Sequence, residues 1–121
     1  MITFAGELSK RSVAMTNRNS IIMGKLKDAA AEAMPKGGHA LLYGSRARGD
    51  ARDDSDWDVL VLLDKPKIEQ SDYDGICYRL TDLGWELGEM IIPVLYTKTE
   101  WEKSSYTPFY KNVQREGILL V

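Results

Sequence analysis

Two aspartates separated by one residue stand at the start of the most apolar stretch of this sequence. Asp56 and Asp58 flank Trp57, and the apolar run Val59–Leu63 follows. A continuous run of this kind is typical of a strand that is covered on both faces. Because strand side chains alternate, we expect both carboxylates on one face, roughly 7 Å apart. They are either solvated acids at a strand end or, since neighbouring acids repel unless a cation joins them, ligands for Mg²⁺ or Mn²⁺.

A glycine-serine pair precedes these acids, with Ser45 eleven residues before Asp56. The segment 39–43 predicts a short strand that Gly44 ends, and 46–49 predicts one or two helical turns. Glycine lets a backbone approach a phosphate closely, and free amides at a helix start attract anions. Many strand-to-helix turns use this pair for geometry alone. The glycine-serine pair indicates phosphate binding only when it is taken together with Asp56 and Asp58.

The two segments together resemble the signature of the DNA polymerase beta-like nucleotidyltransferase superfamily, in its minimal nucleotidyltransferase form. The segments are GSRARG at residues 44–49 and SDWD at residues 55–58. By motif the resemblance covers about residues 43–64, and over residues 21–117 it is a matching order of elements. It implies transfer of a nucleoside monophosphate from a nucleoside triphosphate, with ATP expected, to a hydroxyl acceptor, with release of pyrophosphate.

The resemblance also implies roles for individual residues. Gly44 and Ser45 would hold the β- and γ-phosphates of the nucleotide. Asp56 and Asp58 would be the catalytic pair and would bind two Mg²⁺ (or Mn²⁺) ions. Arg48 would either touch a phosphate or support the loop by pairing with an acid. Arg46, two residues earlier, we expect to be solvated.

One feature departs from the pattern. Active members of the superfamily usually carry a third carboxylate on the next core strand, and here the strand predicted at residues 90–96 contains no acid. Glu89, just before it, is the candidate for a third metal ligand, whereas Glu86 is expected on a solvated helix face. The gap leaves open a second hypothesis, a catalytically weak or inactive module that binds nucleotide or a partner protein.

The charge composition of the chain limits the kinds of partner that it can be expected to bind. The chain has 121 residues with 16 Lys and Arg against 18 Asp and Glu, a net charge of −2. This balance makes a nucleic-acid partner unlikely, so an RNA-modifying domain is the third and weakest hypothesis. Minimal nucleotidyltransferases include antitoxin partners of HEPN-domain proteins, which implies a HEPN-type partner and a toxin-antitoxin role. A single cysteine, no predicted signal peptide and no membrane-length apolar stretch indicate the cytoplasm.

The surrounding pattern predicts the elements that position these residues. We expect a flexible lead-in at 1–18, with Met1 or Met15 as the native start, and a single nucleotidyltransferase domain at 19–121. Pro93 within the third strand suggests an edge position or a bulge. The fold class predicted is α+β, a small mixed sheet flanked by helices. Beyond the segments above, the predicted elements are a helix from Ser20 to about Met34, a helix at 73–87, a short helix at 99–102 and a last helix at 108–116.

Overall fold

The fold has a four-stranded sheet with helices against both faces. A computed structural model describes residues 17–121. The elements in chain order are α1 (Asn17–Ala33), β1 (His39–Tyr43), α2 (Ser45–Arg48), β2 (Trp57–Leu63), α3 (Gln70–Asp72), a π-helical turn (Tyr73–Cys77), α4 (Tyr78–Leu87), β3 (Ile91–Thr97), α5 (Lys98–Lys103), α6 (Pro108–Glu116) and β4 (Ile118–Leu119).

The sheet is mixed, with the strand order β3-β2-β1-β4. Strand β1 pairs antiparallel with both β2 and β4, and β2 pairs in parallel with β3. The predicted α+β class with a small mixed sheet is therefore confirmed. Strand β4 was not predicted, because two residues carry no periodicity of their own and pair only in the folded chain.

The apolar run of β2 is covered on both faces, as its sequence predicts. Its odd-numbered side chains face α1 and α4, and its even-numbered ones face α5 and α6. The core on the first face includes Ile22, Leu26, Trp57, Val59, Val61, Leu63, Ile76 and Leu80. The core on the second face consists of Leu41, Leu60, Leu62, Trp101 and Val113. The even-numbered face is the one that carries Asp58 at its open end.

Two helix starts differ from the sequence prediction. Helix α1 already includes Asn17, ahead of the predicted start at Ser20, so the last two residues of the expected lead-in are helical. The rest of that lead-in, with Met1 and Met15, lies outside the described residues. The second long helical segment begins at Gln70 rather than Tyr73. Its start is fixed by reciprocal hydrogen bonds between Glu69 and Asp72, a capping box that precedes the apolar stripe.

Pro93 lies on the edge strand, as predicted. The Trp57 N–H donates to the Met90 carbonyl at 2.8 Å. Because backbone groups alternate along a strand, the amide position of Pro93 then points away from β2. Proline has no N–H to donate, so this orientation removes no hydrogen bond from the ladder with β2.

No helix in the part of the chain that the structure describes is long and apolar enough to cross a membrane. The longest, α1, has 17 residues and carries Lys25, Lys27, Asp28 and Glu32. A helix that spans a bilayer needs about 20 mostly apolar residues.

Close packing at Gly84 fixes the distance between α4 and the start of β3. A Cβ at this position would lie 2.6 Å from the Glu89 carbonyl oxygen and 3.4 Å from the Ile91 nitrogen. Both neighbours are backbone atoms that cannot rotate away. We therefore expect Gly84→Ala to lower the free energy of unfolding by about 1–3 kcal/mol, because this steric cost outweighs the helix propensity of alanine.

The matched control for this prediction is Gly24→Ala in α1, where a Cβ would meet nothing within 4 Å. This variant should gain about 0.5–1 kcal/mol from helix propensity. Urea unfolding of both variants gives the comparison. Equal stabilisation by the two substitutions would contradict the close packing at Gly84.

Candidate active site

The glycine-serine bend lies directly against Asp58. Tyr43 is the cross-strand partner of Asp58, so Gly44 follows at the open end of that pair. A Cβ on Gly44 would lie 2.5 Å from the Oδ2 atom of Asp58. The backbone of Gly44, at φ 78° and ψ −162°, also lies in a region that is essentially restricted to glycine. The backbone conformation thus requires glycine here, and any side chain would also displace the Asp58 carboxylate.

Asp56 lies close enough to Asp58 for its charge to raise the pKa of Asp58. Asp56 is exposed, Asp58 is half-buried, and the intervening Trp57 is buried on the other face. Burial raises the pKa of Asp58, and the negative charges of Asp56 and Glu116 raise it further, while Arg48 opposes them in part. The site therefore holds an excess of negative charge that one arginine does not balance.

This donor set fits a divalent cation that arrives with a triphosphate. Within residues 17–121, no three His, Cys, Asp or Glu side chains are grouped so as to hold a metal by themselves. The two neighbouring carboxylates of Asp56 and Asp58 offer two or more oxygen ligands. Mg²⁺ needs six and usually takes the rest from water and substrate phosphates. The side chains that would hold the ion are those of Asp56 and Asp58.

The hydrogen-bond donors of the bend that have no partner in the described part of the chain belong to Ser45. Its backbone N–H and its hydroxyl have no hydrogen-bond partner among residues 17–121, and its carbonyl accepts from the Gly49 N–H. The Gly44 N–H donates instead to Glu116 at 3.2 Å. The phosphate-binding role predicted for both residues stays a prediction, and the groups available for it belong to Ser45.

Arg48 pairs with acids on both sides. Its Nη1 atom lies 3.2 Å from Oε2 of Glu116, and its Nε atom lies 3.3 Å from Oδ2 of Asp50. Nearly half of the Arg48 side chain is nevertheless exposed, at 46%. The loop-supporting pairing allowed by the sequence is therefore present, and contact with a phosphate stays a prediction.

The expectation of a solvated Arg46 was wrong. This side chain is only 4% exposed. It donates to the carbonyls of Asp53 and Ser55 at 3.0 and 2.9 Å, and its guanidinium lies 4.7 Å from the centre of the Trp57 ring. Backbone carbonyls and an aromatic face have replaced water around the charge. Arg46 thus fixes the loop that delivers Asp56 to the site.

Glu89 is not brought together with the two aspartates. Its Oε1 atom accepts from the Trp57 indole N–H at 2.9 Å and lies 3.4 Å from Arg46. Its Oε2 atom lies 2.7 Å from Arg18. These partners are on the face opposite Asp58, so the placement gives the tentative role as third metal ligand no support. The position beside Asp58 on β3 is Ile92, whose side chain is exposed.

Glu116 is the site residue that sequence reasoning missed. It is buried, accepts from Gly44 and Arg48, and contributes to the field at Asp58. A signal was present: Phe109, Val113 and Glu116 recur at spacings of four and three, which places an acid on the apolar face of α6. A buried acid needs partners, and here they come from the glycine-serine bend.

Tyr43 is the cross-strand neighbour of Asp58 and carries no charge. Burial and the charge of Asp58, with a smaller contribution from Tyr96, raise its pKa to about 12. Its ring packs edge-on against Phe109, with ring centres 5.2 Å apart. The phenol therefore stays neutral over the physiological pH range and adds no further charge to the site.

Comparison with known proteins identifies the family of this chain. Residues 23–118 match the family model of the nucleotidyltransferase domain. The chain belongs to this family. The nucleotidyltransferase domain is also 31% identical over 80 residues to a Methanocaldococcus jannaschii protein named "Putative protein adenylyltransferase". That alignment covers 66% of this chain and 74% of the relative. The resemblance seen in the two motifs is thus confirmed, and the domain is of the nucleotidyl-transfer type.

Proposed function

We propose that this domain is an enzyme that transfers a nucleoside monophosphate, with ATP as the donor, to a hydroxyl group on a protein in the presence of Mg²⁺ or Mn²⁺. The single observation that carries the proposal is the placement of Asp58 against the Gly44-Ser45 bend, with Asp56 near enough for its charge to raise the pKa of Asp58. The protein acceptor is suggested by the name of the archaeal relative. A cytoplasmic setting and a HEPN-type toxin as the acceptor belong to the same proposal.

The reaction is a substitution at the α-phosphorus. The acceptor oxygen forms a bond to this phosphorus, the bond to the β-phosphate oxygen breaks, pyrophosphate leaves, and the acceptor proton passes to water. Asp56 and Asp58 would hold the divalent ion, which when bound would neutralise charge at the phosphates and lower the pKa of the attacking oxygen. The Ser45 donors orient the leaving phosphates. Catalysis of this kind rests on positioning and electrostatics.

Two matched isotopic labels test the proposal. ATP labelled at the α-phosphate should transfer label to an acceptor protein supplied from the neighbouring gene, whereas ATP labelled at the γ-phosphate should not. The γ-label separates nucleotidyl transfer from phosphorylation. Asp54→Asn, an exposed acid of the same loop, serves as the control and should transfer at the wild-type rate. Transfer of the γ-label, or of no label to any protein, would overturn the proposal.

A second function, a binding module without catalysis, is favoured by one observation. Ile92 occupies the position beside Asp58 where an acid would complete a three-carboxylate site. Calorimetry with ATP and Mg²⁺ discriminates the two functions when combined with the transfer assay. Metal-dependent ATP binding that is lost in Asp56→Asn, together with no α-label transfer, would favour the module.

A further inference from the structure

A carboxylate from the end of helix α6 braces the glycine-serine bend at two points. Glu116 accepts from the Gly44 N–H at 3.2 Å and from Nη1 of Arg48 at 3.3 and 3.2 Å. These donors stand at the two ends of the α2 turn, which spans Ser45–Arg48. The Glu116 side chain is 7% exposed, so water contributes little to its solvation. One buried acid thus ties both ends of the turn to the body of the domain.

The bend needs such a brace because its conformation is unfavourable in isolation. Gly44 adopts φ 78° and ψ −162°. A backbone conformation of this kind is retained only where several surrounding contacts hold it in place. The Gly44 carbonyl already accepts from the amides of Ala47 and Arg48, both at 3.0 Å. The hydrogen bond to Glu116 fixes the other side of the residue. With both sides held, Ser45, whose N–H and hydroxyl have no partner among residues 17–121, is fixed directly after the glycine that lies against Asp58.

We infer that Glu116 is a positioning residue for the nucleotide, acting through Gly44 and Arg48 to hold the bend in the form that receives the triphosphate. The inference rests on the proposed function and adds a residue to it. Glu116 makes no contact with the nucleotide in this assignment. Its removal should weaken binding of the triphosphate and leave the chemical step nearly unchanged, because an oriented ground-state contact is lost rather than one made only in the transition state.

The test uses four variants of the full chain: Glu116→Ala, Glu116→Gln, Arg48→Gln and the double variant of the last two. Glu116→Ala removes both hydrogen bonds, and we expect the Kd for ATP with Mg²⁺ and the KM for ATP to rise about tenfold or more, while kcat changes less than about threefold. Glu116→Gln keeps an acceptor for the Gly44 N–H and should recover part of the loss. The double variant Arg48→Gln with Glu116→Gln should lose less than the two single losses combined, because both act through one contact.

Val113→Ala is the control for a merely structural effect. Val113 is buried on the same helix, one turn before Glu116, and faces the aromatic core. This variant should lower the Tm without raising the Kd for ATP. Calorimetry then separates the possible failures. Wild-type protein that does not bind ATP with Mg²⁺ would overturn the proposed function, whereas wild-type binding with equal or tighter binding by Glu116→Ala would overturn the positioning role alone.

Discussion

Asp58→Asn is expected to abolish nucleotidyl transfer and, at the same time, to make the metal-free protein more stable. The rate should fall by at least about 10³-fold, because the amide cannot hold the charge of a divalent ion at the α-phosphate. The Tm in EDTA at pH 7 should rise, because the substitution removes a half-buried charge that lies beside Asp56 and Glu116. Opposite effects on activity and stability are typical of a residue placed for function.

The stability gained by Asp58→Asn should depend on pH, because the pKa of Asp58 in the folded chain differs from its ordinary value. Burial and neighbouring acids raise the pKa of Asp58 in the folded chain above its ordinary value of 3.8. The folded state therefore binds the proton more tightly than the unfolded state. Wild-type protein loses stability as the pH rises from that ordinary value through the raised pKa, and the loss is complete above it. The Tm values of Asp58→Asn and wild type should thus converge in acid and separate towards neutral pH.

Calorimetry with and without ligand completes the comparison. ATP with Mg²⁺ should raise the Tm of the wild type and should leave that of Asp58→Asn almost unchanged. Asp54→Asn is the control for removal of one acidic charge nearby, since Asp54 is exposed and lies outside the pair. A variant that kept transfer activity, or that lost stability at pH 7, would remove Asp58 from the centre of the mechanism.

The second large expected effect is a loss of folding stability, without an effect on metal binding, when Glu89 is replaced. The side chain of Glu89 is 8% exposed and meets a cation, Arg46, that is 4% exposed, together with the Trp57 indole N–H. Glu89→Ala leaves a buried arginine with its charge uncompensated and the indole without its acceptor. We expect the free energy of unfolding to fall by about 3 kcal/mol in urea titrations at pH 7.

The same residue should control part of the acid unfolding. Burial tends to raise the pKa of Glu89, but hydrogen bonds from Arg18 and Trp57 and the charges of Arg18 and Arg46 outweigh it and lower the pKa. The ionised form therefore stabilises the folded chain above the ordinary value of 4.5, and this contribution is lost as the pH falls through the lowered pKa. Glu89→Gln should show a flatter fall in stability over that acid range than the wild type.

Glu86→Ala, three residues earlier on an exposed face of α4, is the matched control and should change stability by less than about 0.5 kcal/mol. A ligand experiment then tests the metal role directly. Where Glu89→Gln folds, the Tm increase caused by ATP with Mn²⁺ should match that of the wild type. Loss of that increase would restore Glu89 as a metal ligand.

The sequence alone sufficed for features in which residue type and spacing dictate the outcome locally. The run Val59–Leu63 reads as a strand covered on both faces because no polar side chain interrupts it, and the structure covers both faces. Alternation along the same strand predicted that Asp58 and Trp57 lie on opposite faces, and Trp57 is buried in the core on the other face. It also predicted Asp56 near Asp58, and the charge of Asp56 raises the pKa of Asp58. Pro93 indicated an edge strand because it has no N–H to donate. The motif pair then led to the family that the comparison confirms.

Tertiary structure alone decided which charges meet. Sequence spacing gave no means of telling that Glu89 faces Trp57 and Arg46, or that Ile92 stands beside Asp58, since both depend on the register between β2 and β3. The same holds for Glu116, which reaches Gly44 from 72 residues away. Local periodicity fixes the face on which a side chain lies, whereas the pairing of buried charges depends on long-range packing that no short segment encodes.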